Sequence, residues 1–323
     1  MEYLKQTKYS YYKQIIVLIV LMITQSCDSQ NKKQMEEEII RLNKETIEKL
    51  VNYPTHPVYS IQVNKMKCRV AVLVNGLPHW LPLTENVGES MTLYLNRYIP
   101  KSGKQLITVQ IYPNEGVEFF PYDAVADIRL QYAPDKFKTP IYEYQVMTEQ
   151  SLPEDIGGKR LSYYEMKIPF EAVVPYDFSE ELNQAQDLTQ IPNIKQKILA
   201  KYNYLKKIME DGDGIAFVKE QEHSSFYGAN YLYATKEELL GALNMEDDND
   251  IELFCSHEIE YRKIPEFTNY ELVFGLDGKV VFLRSKKDKK TMFKVYVGGE
   301  YEDPFEYNFY LYMPEGSNEL KIW

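Results

Sequence analysis

The sequence predicts a mainly β protein with an α+β part: an N-terminal stalk helix, an antiparallel β-sandwich domain, and then helices packed on an antiparallel sheet. Its 323 residues are enough for roughly two domains. Hydrophobic residues make up 44% and aromatic residues 14% of the chain, which suffices for packed cores and argues against disorder. The local pattern also changes along the chain. It divides the sequence into a signal segment (1–26), a linker with the stalk helix (27–57), the sandwich (58–176) and the α+β domain (177–323).

The first segment has the layout of an export signal. Lysines at positions 5, 8 and 13 precede an unbroken apolar run over 15–23, and Thr24, Gln25, Ser26 and Cys27 follow it. As a helix this run is about 13 Å long, much shorter than the ~30 Å hydrocarbon core of a bilayer. The segment therefore favours a signal peptide over a membrane-spanning helix.

Cys27, directly after the small residue Ser26, resembles the cysteine of a bacterial lipoprotein signal. The segment departs from the usual motif at Thr24, where leucine is common, with Ile23 one position earlier. The resemblance implies that Cys27 carries diacylglycerol and becomes the mature N-terminus. Two or three acyl chains would then hold the protein stably on a membrane of the cell envelope, facing the periplasm or the surface. A secreted protein cleaved nearby and a retained membrane anchor remain the alternatives.

A polar linker over 28–34 leads into the stalk helix. From Met35 to Val51 the apolar residues recur mostly at intervals of three to five, with charged residues between them, and Pro54 and Pro57 end the pattern. Barely two heptads are available, so the helix is expected to dock on the body of the protein rather than form a coiled-coil dimer.

Short runs rich in Val, Ile, Tyr and Thr follow, separated by turn residues such as Asn75-Gly76. The predicted strands are Tyr59–Val63, Cys68–Val74, Met91–Leu95, Gln105–Tyr112, Ala126–Tyr132, Tyr142–Thr148 and Tyr163–Phe170. Their spacing is typical of an antiparallel sandwich. In the fourth strand Ile107, Val109 and Ile111 alternate with less apolar positions, which predicts one buried face and one solvated face.

Helical patterns begin after residue 177. One helix runs from Ile194 to Met209, a second from Ile215 to Gln221, and a third starts at the capping box of Thr235 and Glu238. Beyond an acidic loop at 246–250 the predicted strands are Ile251–His257, Tyr270–Phe274, Lys279–Arg284, Thr291–Val297, Phe305–Tyr312 and Glu319–Ile322. Asp277-Gly278 predicts a two-residue hairpin. Helices followed by antiparallel strands predict an α+β unit.

The order of elements from about Ile191 to Trp323 loosely resembles the NTF2-like superfamily. The resemblance implies a curved sheet around a pocket beneath a long helix. Tyr202, His257 and Tyr270 are the candidate pocket residues, and they would serve a small-ligand-binding or enzymatic site.

Motifs for other chemistry are missing from the sequence. None of the four histidines lies in HExxH, there is no G-x-S-x-G, and the acidic runs at 211–214 and 246–250 do not match the register of a calcium loop. We therefore predict no metal and no cofactor. The excess of 48 acidic over 37 basic residues disfavours nucleic acid as a partner. Cys68 and Cys255 are left as two buried free thiols or, because export permits it, a disulfide.

The 28 tyrosines suit strand faces, protein interfaces and sugar-binding surfaces alike. Trp80, Tyr301, Tyr307 and Tyr310 are the candidate interface residues. The basic run at 284–290 is interpreted as a solvated hairpin loop, with contact to an anionic partner as the alternative.

Together these features predict a non-enzymatic, lipid-anchored envelope protein that recognises another protein. It would be an immunity or inhibitor protein, or an accessory subunit of a surface or secretion complex. The alternatives are a small-ligand or enzymatic pocket in the C-terminal domain and a glycan-binding surface.

Overall fold

The computed structural model describes residues 31–244, 249–256, 259, 261–298 and 303–323. The helices are α1 (31–48), α2 (Ser179–Gln184), α3 (Ile194–Glu210), α4 (Gly214–Tyr231), α5 (Lys236–Asn244) and α6 (Asn249–Cys255). The strands of the first half are β1 (Val58–Met66), β2 (Cys68–Val74), β3 (Leu77–Pro78), β4 (Glu89–Tyr94), β5 (Lys101–Pro113), β6 (Val125–Ala133), β7 (Gln145–Ser151) and β8 (Tyr164–Asp177). Those of the second half are β9 (Arg262–Lys263), β10 (Tyr270–Gly275), β11 (Val280–Ser285), β12 (Phe293–Val297), β13 (Phe305–Tyr307), β14 (Tyr310–Tyr312) and β15 (Lys321–Ile322).

The first half is the predicted antiparallel sandwich. One sheet has the strand order β4-β1-β6-β7 and the other β3-β2-β5-β8. Their facing side chains share one buried core, with Ile61 and Ile128 from the first sheet and Val70 and Val109 from the second. The alternation in β5 is confirmed, because Ile107, Val109 and Ile111 are fully buried.

The second half places an antiparallel sheet, β10-β11-β14-β15, between the sandwich and the helices. Strand β11 is buried on both faces. Val280 and Phe282 belong to the sandwich core, whereas Val281 and Leu283 belong to the core under α3 and α4. The predicted α+β arrangement is therefore present, and its sheet shares hydrophobic packing with the sandwich on one face and with the helices on the other.

Helix α1 packs against the helical layer, as the sequence predicts for a docked helix. Ile39 is fully buried in the core formed by α3, α4 and α6. At the start of α4, Gly214 leaves no room for a side chain, because a Cβ there would lie 3.0 Å from Ile39 and 2.8 Å from Phe254. Farther along, Lys49 Nζ lies 2.6 Å from Glu222 Oε1 on α4.

Three local predictions in the second half are wrong. Residues 251–255 of the expected strand Ile251–His257 instead belong to helix α6, which begins at Asn249. Asp250 and Glu252 lie in the first turn of α6, where the helix dipole favours negative charge. His257 lies outside the described residues. The expected strand Phe305–Tyr312 is two strands in different sheets. Helix α4 runs to Tyr231 rather than Gln221, and Asn230 near its end is buried with its amide donating to the Phe226 carbonyl.

The Asp277-Gly278 hairpin is present, but its turn is longer than predicted. Gly275 pairs with Val280, so four residues form the connection. Three of them, Leu276, Asp277 and Gly278, have positive φ angles of 49°, 57° and 81°. A two-residue turn is too short to contain three consecutive residues with positive φ.

The basic run at 284–290 is engaged with acidic side chains of the same chain. Lys287 lies 3.2 Å from Glu115 and Lys290 lies 3.1 Å from Glu85, both on loops of the sandwich. Arg284 is 4% exposed and donates through Nη2 to Gln110 of β5 (3.0 Å). The run thus joins the sandwich to the second half instead of standing free in solvent.

Glu271 completes this junction. It accepts from Arg284 Nε at 2.8 Å and from Lys289 Nζ at 3.0 Å. Burial alone raises the pKa of Glu271, but the hydrogen bond from Lys289 and the charge of Arg284 outweigh it, so the pKa lies below the usual value. A carboxylate with a depressed pKa stabilises the fold above its unfolded pKa, and that contribution is lost as the pH falls through the folded pKa.

We therefore expect Glu271→Gln to be less stable than the parent protein at neutral pH, with the difference shrinking between about pH 5 and pH 3. Urea unfolding at a series of pH values measures this. Glu149→Gln, at an exposed pair with Arg129 on the sandwich surface, is the control and should follow the parent profile. A Glu271→Gln profile parallel to the parent down to pH 3 contradicts the assignment.

Candidate functional site

The region predicted to hold a pocket is filled with side chains. Tyr202 is fully buried, and its hydroxyl donates to the Phe309 carbonyl (2.8 Å) and accepts from the Leu283 N–H (3.3 Å). Burial raises the pKa of Tyr202. Its ring centroid lies between 5.6 and 6.4 Å from those of Phe267, Phe293 and Phe309. The space beneath α3 at this point is therefore packed with aromatic rings.

The other two pocket candidates do not join Tyr202 around a cavity. Tyr270 is half-buried, with Lys195 Nζ 5.4 Å from its ring centroid. His257 lies outside the described residues. Neither Tyr202 nor Tyr270 lines any of four well-formed clefts in the described parts of the chain.

The interface candidates are divided between surface and interior. Trp80 is 49% exposed, and its ring stacks on His79 at 5.9 Å. Tyr310 is buried, and its hydroxyl donates to the Pro78 carbonyl at 2.6 Å. Trp80 and Tyr310 nevertheless lie close together, because the Tyr98 hydroxyl contacts the backbone N–H of Trp80 (2.9 Å) and the hydroxyl of Tyr310 (3.2 Å).

Tyr307, the third interface candidate, is half-buried. Its ring packs edge-on against Phe217 at 5.2 Å. Tyr301 lies outside the described residues. Of the candidates that the structure describes, Trp80 is therefore the one with a largely exposed ring.

A different surface carries the densest exposure of large apolar side chains among the residues that the structure describes. Five of the eleven residues from 137 to 147 are large, apolar and exposed by 44 to 83%. We call this stretch the apolar segment; these residues are Phe137, Ile141, Tyr142, Val146 and Met147. It consists of the loop between β6 and β7 and the first residues of β7.

The loop of the apolar segment is held in place by Asp135. The Asp135 carboxylate accepts from the backbone N–H of Phe137 at 2.9 Å and pairs with Lys138 at 3.0 Å. The hydrogen bond from Lys138, followed by that from Phe137, lowers the pKa of Asp135. The Phe137 ring packs edge-on against His56 at 4.9 Å. Exposed rings are thus displayed on an ordered loop.

The opposite end of the loop is anchored by Tyr144. Its ring packs with Val58 and Ala133 on the outer face of the first sheet. Burial raises the pKa of Tyr144 to about 12, so the phenol stays protonated. The chain then enters β7 directly.

Strand β7 is an edge strand, since within the described residues it pairs only with β6. Free strand edges expose backbone N–H and C=O groups, and proteins usually blunt them with proline or lysine. The edge strand β8 contains Pro169 and Pro175, whereas β7 contains no proline, lysine or arginine. Strand β7 has two other devices that blunt an edge: a register shift that leaves Met147 without a partner on β6, and the charged Glu149. The apolar segment therefore places exposed apolar side chains beside a strand edge that is only partly blunted.

The sequence predicts a strand and a connection for this stretch, without a function. Neither helical nor strand periodicity separates an exposed Tyr142 from a buried Tyr144 two residues later. The signal in the sequence that could have indicated an exposed surface was the cluster of apolar residues beside Pro140.

His223 lies in an aromatic cluster beside a glutamate. It lies 3.4 Å from Glu181 and within 5.5 Å of the rings of Tyr227, Tyr312 and Trp323. Burial lowers the pKa of His223. Its neighbour Ser224 donates to the Trp323 carbonyl at 2.8 Å, so this hydroxyl is not paired with the histidine. The cluster ties α2 to α4 and β14 and does not form a base and nucleophile pair.

The described residues also form no cluster of metal-ligating side chains and no reactive thiol site. Within the ranges that the structure describes, no group of three or more His, Cys, Asp or Glu side chains converges to hold a metal ion. Cys68 and Cys255 are both buried, are not joined by a disulfide, and belong to different cores. Burial raises the pKa of Cys68 to about 11, so this thiol is not a reactive thiolate.

No family model matches the chain, and no solved structure matches it. The resemblances to a lipoprotein signal and to the NTF2-like superfamily therefore stay predictions. Among the helices formed by the described residues, none is both long and apolar enough to cross a bilayer.

Proposed function

We propose that this protein is a lipid-anchored envelope protein that binds another protein through the apolar segment. The observation that carries the proposal is the concentration of exposed side chains at 137–147 on an ordered loop and a free strand edge. The aromatic packing around Tyr202, where a ligand pocket was expected, further favours recognition at the surface.

Exposed apolar area is the main source of binding free energy at such a surface. Burial contributes about 25 cal/mol per Å² of apolar area removed from water. Aromatic residues and methionine are enriched at the centre of protein interfaces, and charged residues are depleted there. Tyr142, Phe137 and Met147 match this composition. Because Asp135 and Tyr144 already hold the loop, less conformational entropy is lost on binding.

The N-terminal sequence supports attachment to a membrane. If Cys27 is acylated, three residues separate it from α1 at residue 31, and the four Cα–Cα steps span at most about 14 Å. Helix α1 packs on the body, so the whole molecule would stay close to the lipid surface. Its partner would then be another envelope protein, either a toxin that it neutralises or a larger complex of which it is a subunit.

A pair of photo-crosslinking variants tests the recognition surface. Tyr142 is 83% exposed at one end of β6, and Tyr122 is 79% exposed at the other end, so the two sites are matched. A photoreactive amino acid at position 142 in the full chain should give a discrete crosslinked protein in the native envelope. The same group at position 122 should give none.

The crosslink should also be lost when Phe137→Ser and Met147→Ser are added to the chain with the probe at 142. Equal crosslinking from both probe positions, or none from position 142, contradicts the proposal. Lipid attachment is measured in the same preparations. Labelled palmitate should be incorporated into the parent chain and not into the Cys27→Ser variant.

A further inference from the structure

A large cleft lies on a different surface, where the sandwich meets the second sheet. Its volume is about 960 Å³. The walls are the start of β5, helix α2 and the turn between β10 and β11. Three lysines line it, Lys101, Lys104 and Lys279, and we call it the lysine cleft.

Two turns that are hydrogen-bonded to each other form the base of the lysine cleft. The N–H of Leu276 donates to the Asn75 carbonyl at 2.8 Å, which joins the turn after β2 to the turn after β10. Gly76 and Gly275 meet so closely that a Cβ on Gly76 would lie 2.9 Å from the Gly275 Cα. Both turns depend on left-handed backbone, with φ of 82° at Gly76 and 49° at Leu276. A non-glycine residue in this conformation is strained and is held there by its surroundings.

One of the three ammonium groups is fixed to the cleft by a backbone carbonyl, and none of the three forms an ion pair within the described residues. Lys279 Nζ donates to the Asn183 carbonyl at the end of α2 (2.6 Å), which fixes the ammonium on one wall. In the part of the chain that the structure describes, no carboxylate oxygen comes within 4.0 Å of the Nζ atoms of Lys101, Lys104 or Lys279.

The acidic groups nearest to the cleft are limited in number and partly engaged elsewhere. Asp277 is the acidic residue in the lining. Asp177 faces Lys101 across the β5–β8 ladder, but its carboxylate accepts from the Ser179 N–H at the start of α2. Glu171 is the cross-strand neighbour of Lys104. Asp187, beside Gly278, accepts from the Thr189 N–H. Besides these hydrogen bonds, the charges of Lys101 and Lys279 help to lower the pKa values of Asp177 and Asp187, so both carboxylates lie within electrostatic range of the cleft. The lining itself has three lysines and one aspartate, a positive excess in a chain with a net charge of −11.

We propose that the lysine cleft binds an anionic oligosaccharide. Lys101 and Lys104 on the β5 wall and Lys279 on the turn opposite can attract several negative charges of one ligand rather than a single ion. The volume is at the upper end of the range for small-ligand sites, roughly 300 to 1,000 Å³, which suits a chain of a few sugar units. The remaining lining mixes polar side chains such as Ser179 and Asn183, which can bond sugar hydroxyls, with apolar ones such as Leu182, which can pack on the C–H faces of a sugar ring. This site is separate from the apolar segment and does not depend on it.

Titration of the full chain with defined oligosaccharides tests the proposal. The probes are hexagalacturonate for carboxylates, a heparin hexasaccharide for sulfates, and maltohexaose as the neutral control. At least one acidic probe should bind, with an affinity that falls as salt is added, and maltohexaose should not. Which acidic probe binds more tightly distinguishes the two anionic groups.

The variant Lys101→Gln/Lys104→Gln/Lys279→Gln should weaken binding by about tenfold or more. The control Lys32→Gln/Lys33→Gln/Lys44→Gln removes the same charge from α1, and its affinity should stay near that of the parent. An unchanged urea midpoint shows that the cleft variant is folded, and a glutamine amide at position 279 can still donate to the Asn183 carbonyl. Equal weakening by both triple variants, or no binding of either acidic probe at about 1 mM, overturns the proposal.

Discussion

Replacing Tyr202 by alanine is expected to lower the free energy of unfolding by about 3 to 5 kcal/mol. The ring is fully buried in α3 and is surrounded by aromatic side chains that cannot collapse into the space it leaves. The variant also loses the hydroxyl that accepts from the Leu283 N–H and donates to the Phe309 carbonyl. Urea or guanidinium unfolding, followed by fluorescence, measures the change.

Two further variants separate the ring from the hydroxyl. Tyr202→Phe keeps the ring but leaves two buried backbone groups without their partner, which should cost about 1 to 3 kcal/mol. Tyr204→Ala, two residues along the same helix and 43% exposed, should change stability by less than about 1 kcal/mol. If Tyr202→Ala were as mild as Tyr204→Ala, this region would contain space for a ligand, and the pocket interpretation would gain support.

The second large effect is expected at Gly275. Alanine there should destabilise the protein by about 3 kcal/mol, because the new Cβ would lie 2.7 Å from the backbone nitrogen and from two side-chain carbons of Leu77. Leu77 is buried and belongs to β3, so the collision occurs where the sandwich packs against the second sheet. The backbone atom cannot move aside without shifting the strand.

Gly241→Ala is the matched control for this substitution. It lies within α5, and no atom comes within 4 Å of the position that its new methyl group would take, so the change should stabilise the protein by about 0.5 to 1 kcal/mol. Thermal unfolding of the two variants should therefore move in opposite directions. A Gly275→Ala protein that melts with the parent would show that the two halves do not pack as closely as the structure indicates.

The first half of the fold was the easier half to predict. In β5 each of Ile107, Val109 and Ile111 faces the core, and the period of two places them there whatever lies on the far side. The seven expected strands are all present because turn residues such as Asn75-Gly76 separate them. The pairing order of the strands was not predicted, since it depends on contacts between distant parts of the chain.

The second half was harder because its apolar runs fit more than one structure. The stretch from Ile251 to Cys255 has the residues of a strand, yet Leu253 and Phe254 are both buried on helix α6 in the core beneath α3 and α4. Tertiary packing outweighed the local preference there. The same holds for Tyr202, which was placed correctly on its helix and facing the sheet, but beside a pocket that aromatic rings occupy instead.

The sequence by itself determined the approximate positions of the sandwich strands and of the stalk helix, because each depends on local spacing. Only the tertiary structure decided which side chains are exposed and which meet. Tyr142 and Tyr144 are two residues apart, yet one lies in solvent and the other covers Val58 and Ala133. Lys101, Lys104 and Lys279 likewise share a cleft through strand and turn packing between distant parts of the chain. Burial and proximity of this kind are properties of the whole fold, so no local pattern encodes them.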